Sequence, residues 1–154
     1  MLIKSELLND NPWYLENNFY TNNSYIVNPI TWKYLKETAI CVYGLNDLNV
    51  KITNNDVIKY CHENINTYWK NWVNQTEKSA VHNLSELTAI IEWGVLGITR
   101  LHATIFTGKI ISKLDAGFYA KNIFDKKWNK VLDFAINIRK FNTIRSYAVE
   151  ILSD

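Results

Sequence analysis

The chain has 154 residues, 47% of them hydrophobic and 21% charged, with a formal net charge of +2 at pH 7. That length suits one ordinary domain with a sizeable core. The near-neutral balance and dispersed lysines give no electrostatic reason to expect nucleic acid or a membrane as partner.

Six Trp, nine Tyr and six Phe against five Gly and two Pro favour helices on short loops over a strand-and-turn protein. The opening MLIKSELLNDN lacks the apolar run of a signal peptide, and no stretch reads as a bilayer span, so the cytoplasm is the expected compartment. Cys41 and Cys61 both sit among apolar residues and read as reduced, buried thiols.

Residues 1–27 are polar, asparagine-rich and dotted with aromatics, including Trp13, Tyr14, Phe19, Tyr20 and Tyr25, without a sustained period. They read as an irregular arm whose rings need a surface to cover. Asn28-Pro29 then supplies a cap and a proline at the first helical position, predicting a helix to about Thr38. The run AICVY at 39–43, closed by Gly44, is the best strand candidate, with a second short extended piece at 50–52.

Asn54, Asn55 and Asp56 are all plausible caps for a helix over about 56–73, with Cys61, Tyr68, Trp69 and Trp72 on its stripe. Residues 74–79 read as a loop. A long helix from about Ser85 carries Leu87, Ile91, Val95, Ile98, Leu101 and Ile105 at helical spacing, and Gly108 stops it in a left-handed conformation. Ser112 caps the next helix, with Asp115 completing a short capping box. Asp125 caps a further helix with Trp128, Leu132, Ala135 and Ile138 on one side, and a last helix is expected over about 143–152. The expected class is mainly α: a helical bundle with a small α/β fragment, one or two short strands, near the N-terminus. Residues 1–53 form the arm, helix and strand, and 54–154 the bundle domain.

Several chemistries have no motif here. His62, His82 and His102 are scattered, and neither H-E-x-x-H nor C-x-x-C occurs, so no metal site is expected. G-x-S-x-G, the Walker A loop and G-x-G-x-x-G are missing, as is the R-x4-6-H pattern of small helical RNases. His62 directly follows Cys61, which turns the two side chains about 100° apart on a helix and disfavours a cysteine–histidine pair.

Arg100 and Lys113 flank the turn between two helices. A helix N-terminus presents unpaired N–H groups and partial positive charge, so Ser112-Lys113 is a reasonable phosphate seat. Arg100 lies about two turns before the end of its helix, roughly 12 Å at 1.5 Å per residue. Both long side chains reach one polyphosphate if the helices fold back on each other. A surface arginine and a capping-turn lysine are the simpler alternative. Glu92 and Glu86 share the long helix, and Glu92 falls about 80° from Arg100. There it could hold a cationic ligand or merely face solvent.

The stretch EWGVLGITRLHATIFTGKIISKLDAGFYA resembles the C-terminal helical domain of the aminoglycoside nucleotidyltransferases that adenylylate spectinomycin and streptomycin. The matching residues are Trp93, Val95, Leu96, Arg100, Thr107, Gly108, Ile110, Ser112, Lys113 and Ala116. The W-x-x-x-L-x-x-A-x-x-x-R run from Trp128 to Arg139 resembles the family's next helix, and NPITWKYLKETAICVYG the end of its catalytic domain.

The resemblance implies that Arg100 and Lys113, with Ser112, bind the phosphates of ATP across a cleft, and that Glu92 and Trp93 receive the aminoglycoside. The family's G-S segment and D-x-D aspartates, which hold Mg²⁺, do not occur in this chain, and its general-base glutamate falls upstream of Met1, with Glu6 the only nearby candidate. ATP with Mg²⁺ is therefore implied as the family's cofactor while the metal ligands are missing, and no catalytic residue is expected here. The chain is expected to need a catalytic partner chain for AMP transfer. The other reading is a protein-interaction or homodimerisation module whose aromatic arm, Trp13 to Tyr25, is the contact.

Overall fold

The computed structural model describes residues 13–15, 17–20, 27–44 and 50–141. The chain divides into two compact units, Met1–Tyr60 and Cys61–Asp154. Among the described residues helices predominate, as the composition suggests, with one pair of short strands near the N-terminus.

In the first unit, strand β1 (Trp13–Leu15) pairs antiparallel with β2 (Asn18–Tyr20), Tyr14 opposite Phe19. The turn places Asn17 at a left-handed φ of 64°, which asparagine tolerates, and its side chain accepts a hydrogen bond from the Tyr14 hydroxyl at 3.0 Å. The strands thus fall within the arm read as irregular. Two short runs carry too little periodicity to be seen in sequence, and cross-strand pairing creates them.

The AICVY run forms no strand. Residues 39–44 and 50–53 are not in regular structure, because β-propensity needs a neighbouring strand and among the described residues none pairs with them. Ile40, Val42 and Tyr43 are 87%, 94% and 99% exposed. Cys41 is also exposed, contrary to the buried thiol expected.

Helix α1 (Pro29–Thr38) begins as its cap predicts, with Asn28 Oδ1 accepting from the Thr31 N–H at 3.1 Å. Lys33 is buried, and its ammonium donates to Glu37 at 2.6 Å and to Asn54 at 2.7 Å. It ties α1 to the first residue of α2 (Asn54–Asn64). The cap of α2 is Thr53 rather than one of the asparagines. Its Oγ1 accepts from the Asp56 N–H at 3.2 Å, while the Asp56 carboxylate accepts from the Thr53 hydroxyl at 2.6 Å and the Thr53 N–H at 2.8 Å. Those bonds hold the Asp56 carboxyl below its ordinary pKa.

The boundary between the units falls within α2. The helix continues through a π-helical turn, Ile65–Trp69, into α3 (Lys70–Lys78). The 74–79 segment read as a loop is therefore mostly helix. Asn, Gln, Thr, Glu and Lys are tolerated in a helix that neighbouring residues already support, and Thr76 and Ser79 donate to the carbonyls of Trp72 and Gln75.

Helix α4 (Leu84–Thr107) is capped by Asn83 and Glu86 and ends at Gly108, with φ 67° and its N–H bonded to the Thr104 carbonyl at 2.9 Å. By length and composition α4 is apolar enough to cross a membrane, contrary to the sequence expectation. It packs against α5 and α6, and a third of its most apolar window is buried inside the protein. The buried residues also differ from the expected stripe. Leu96 is fully buried although it sits two residues, about 200° of turn, before Ile98. As the central helix, α4 buries more than one side.

Helix α5 (Lys113–Ile123) starts at the predicted Ser112 cap and presents Ala116, Gly117 and Ala120 to its neighbours. Gly117 admits a close approach: a Cβ there would lie 2.6 Å from Ile136 and 3.1 Å from Leu96. Asp125 caps a 3₁₀ turn, Lys126–Trp128, which feeds α6 (Asn129–Phe141). Leu96, Ala135 and Ile136 form the centre of the α4–α5–α6 core, with Ile91, Val95 and Leu114 packed around them. Trp128, expected on the inner stripe, is 53% exposed because it precedes α6 in the 3₁₀ turn. The expected helix over 143–152 lies outside the described residues.

Candidate anion-binding site

Three helices of the second unit place charged side chains around one carboxylate. Glu92, on α4, points toward Lys113, the first residue of α5, whose Nζ lies 3.3 and 3.2 Å from the two Glu92 oxygens. Arg139, near the end of α6, brings NH1 to 3.4 Å from Oε1 of the same carboxylate. The Glu92 and Lys113 side chains are only 16% and 15% exposed, so this charge is largely shielded from water.

Arg100 stands two turns beyond Glu92 on α4 and is half-buried. Burial lowers its pKa from the ordinary value, and the Arg139 charge lowers it further. Lys113 is lowered first by burial. Glu92 opposes that shift, while Arg139 and Arg100 add to it. The three cations thus act on one another directly or through Lys113, and among the described residues Arg100 has no carboxylate partner.

An aromatic wall adjoins the cations. The Lys113 ammonium lies 4.4 Å from the centroid of Trp93, a distance suited to cation–π attraction. Trp93 is 45% exposed and tilts against Trp69 at 6.1 Å, and Trp69 meets Trp72 edge-on at 5.4 Å. Two glycines of α4 make room for these indoles. A Cβ on Gly94 would fall 2.7 Å from Trp72, and one on Gly97 2.5 Å from Trp69. The Gly94/Gly97 pair thus sets how near the Trp69–Trp72 segment approaches α4 behind Trp93.

Ser112 serves the helix. Its Oγ accepts from the Asp115 N–H at 3.1 Å and donates to the Asp115 carboxylate at 2.7 Å, so both of its bonding roles are used in the capping box. Glu86 is likewise at a helix start, accepting from His82 N–H and Asn83 Nδ2, and takes no part in the cluster. His102 lies farther along α4 in an apolar setting. It stacks on Phe106 at 4.3 Å, bonds Tyr119 OH through Nδ1 at 3.1 Å, and its pKa is lowered by burial.

Arg139 is the member that sequence reasoning did not place in the site. Its signal was present as the arginine ending the Trp128–Arg139 pattern, but nothing in that spacing shows α6 lying beside Glu92. Trp69 was expected only as a core residue.

Two cations on one shielded carboxylate, with Arg100 two turns farther along α4 and an exposed indole beside Lys113, can hold a multiply charged anion carrying a ring or other flat group. The same residues do not suit Mg²⁺, since the cluster has one carboxylate and three positive charges repel a cation. Among the described residues no group of three His, Cys, Asp or Glu side chains converges. No protein-family model, curated protein or solved structure matches the chain.

Proposed function

We propose that the second unit is a nucleotide-binding helical module of the aminoglycoside nucleotidyltransferase type, in which Arg100 and Lys113 bind ATP phosphates. The observation that carries this reading is the uncompensated charge: Lys113 and Arg139 share Glu92, and Arg100 is half-buried without a carboxylate among the described residues. A buried or half-buried cation is costly without an anionic partner, so a ligand phosphate supplies what the chain does not. The resemblance of the Arg100–Lys113 hairpin to that family names the ligand.

Within this reading the exposed face of Trp93 is left for the aminoglycoside or a nucleobase. Glu92, also expected to receive the drug, is committed to Lys113 and Arg139. AMP transfer would need catalytic aspartates and magnesium that these residues do not supply, and in this reading a catalytic chain or segment completes the site. Calorimetric titration of the whole chain with magnesium-ATP tests the proposal. Millimolar or tighter binding that Arg100→Ala and Lys113→Ala each weaken supports it, and no heat from ATP or spectinomycin at millimolar concentration refutes it.

A second reading, a protein-interaction module, is favoured by a different observation. Ile40, Val42 and Tyr43 stand almost wholly in water, as do much of Tyr14 and Phe19 on the hairpin. Apolar side chains so placed favour a covering partner. Native mass spectrometry distinguishes the two: a strictly monomeric chain that binds magnesium-ATP favours the nucleotide module, and a dimer indifferent to nucleotide favours the interaction module.

A further inference from the structure

The geometry around Glu92 differs from that of a finished salt bridge. Charge-assisted N–H···O bonds normally span about 2.7–2.9 Å, whereas the contacts here run from 3.2 to 3.4 Å. Oε1 is shared between Lys113 and Arg139, so one carboxylate is stretched between two cations from different helices. It meets neither at full strength. Arg100 is left with no carboxylate among the described residues. A tetrahedral phosphate has more acceptor oxygens than a carboxylate and spreads them over a wider angle. A second phosphate linked to the first extends the reach to a third helix.

We infer that Arg139, Lys113 and Arg100 form one three-cation seat for a polyphosphate chain, in which Glu92 is the resident counter-charge that the incoming phosphate displaces. The location rests on the nucleotide reading. The added claims are that Arg139 touches the anion and that Glu92 serves the cations rather than a cationic substrate. The ligand class is a linear anion of two or more phosphates, because α4, α5 and α6 each contribute one cation. Arg100 lies eight residues, about 12 Å of helix rise, beyond Glu92 on α4, farther than one orthophosphate spans.

Glu92 then has an effect of definite sign. As a competing anion it weakens phosphate binding, so its neutral isostere should bind more tightly. A carboxylate needed to orient Lys113 and Arg139 predicts the opposite, a loss of phosphate affinity.

The test titrates the whole chain with tripolyphosphate, pyrophosphate and orthophosphate in magnesium-free buffer, and separately with magnesium-ATP. The wild type should bind in the order tripolyphosphate, pyrophosphate, orthophosphate. Arg139→Gln should weaken tripolyphosphate by about tenfold or more, Glu92→Gln should tighten it several-fold, and Lys78→Gln, an exposed lysine outside the cluster, should change little. Circular dichroism and thermal midpoints establish that each variant is folded. Because Glu92→Gln is expected to gain affinity, misfolding cannot imitate that result.

Tripolyphosphate binding unchanged in Arg139→Gln, or weakened in folded Glu92→Gln, overturns the inference. If ATP binds and depends on Arg100 and Lys113 while both new variants behave as wild type, the seat fails and the nucleotide reading stands. If tripolyphosphate shows the variant pattern but adenosine adds nothing to it, the seat stands and the nucleotide reading fails. Absence of binding by every phosphate refutes both.

Discussion

Substitution of Gly97 by alanine separates helix propensity from packing, because the two act in opposite directions. In an exposed helix interior the change would stabilise by about 1 kcal/mol. Here the new Cβ would lie 2.5 and 2.6 Å from two ring carbons of Trp69. Carbon atoms prefer about 3.5–4.0 Å, so the indole must retreat by roughly 1 Å. Trp69 is only 6% exposed and is held by Tyr68, Trp72 and Trp93, which leaves it little free space. Overpacking of this kind costs about 1–3 kcal/mol. Subtracting the propensity gain leaves a net loss of about 1 kcal/mol, or roughly 2–4 °C in thermal midpoint for a chain of this size. Urea unfolding followed by far-ultraviolet circular dichroism measures it. A double-mutant cycle with Trp69→Phe supplies the control, since a smaller ring relieves the clash. The two changes should then couple favourably by about 1 kcal/mol. A Gly97→Ala protein as stable as the wild type, or strictly additive effects, would refute the packing argument. The same cycle reaches the site, because Trp69 contacts Trp93 and Trp93 lies under Lys113.

Further outcomes follow from single contacts. Ser112→Ala removes the cap of α5 and should cost about 1 kcal/mol by urea unfolding, with phosphate affinity falling no more than the fold destabilises; a specific loss of affinity would give Ser112 a ligand role that its bonds to Asp115 exclude. Lys33→Ala should destabilise the α1–α2 junction by about 1–2 kcal/mol, read as faster hydrogen exchange in α1, and unchanged protection would show that its bonds to Glu37 and Asn54 are unimportant. Burial pushes the Cys61 thiol up to about 11, whereas Cys41 is exposed, so a thiol reagent at pH 8 should label one cysteine per folded chain, at position 41. For the same reason Cys61 retains its proton in the folded protein after the unfolded chain, near 9.0, has lost it. Its contribution to stability is present below pH 9 and declines as pH rises toward 11; a Cys61→Ala protein should lose less stability over that interval, and an identical pH profile would count against the assignment.

Local signals alone determined much of the helical framework. Asn28-Pro29, Ser112 with Asp115, and Gly108 each act within one turn of chain, through side-chain capping bonds or a left-handed backbone, and each appears where its spacing predicts. The mainly α class follows from the same short-range chemistry. Where local preference needed a partner from elsewhere, sequence was a poor guide. AICVY has the composition of a strand but among the described residues no strand beside it, and the β1–β2 pair exists through pairing that its short runs do not advertise. The polar segment after Val73 is helical through Lys78, and the helix ends at Ser79 without a Gly or Pro.

The candidate site shows the same division. Arg100, Lys113 and Glu92 were legible as residues with suitable chemistry on adjoining helices, but their spacing alone favoured ordinary surface charges, and only the family resemblance singled them out together with Trp93. The α4–α5–α6 core, closed at Gly117 against Ile136 and Leu96, decides that Lys113 meets Glu92 and that Arg139 arrives from 47 residues away. Charge type and helix register reside in the chain. The sharing of one carboxylate by Lys113 and Arg139 is a property of how the helices pack, because electrostatic coupling depends on distance in space and a sequence specifies it only along the chain.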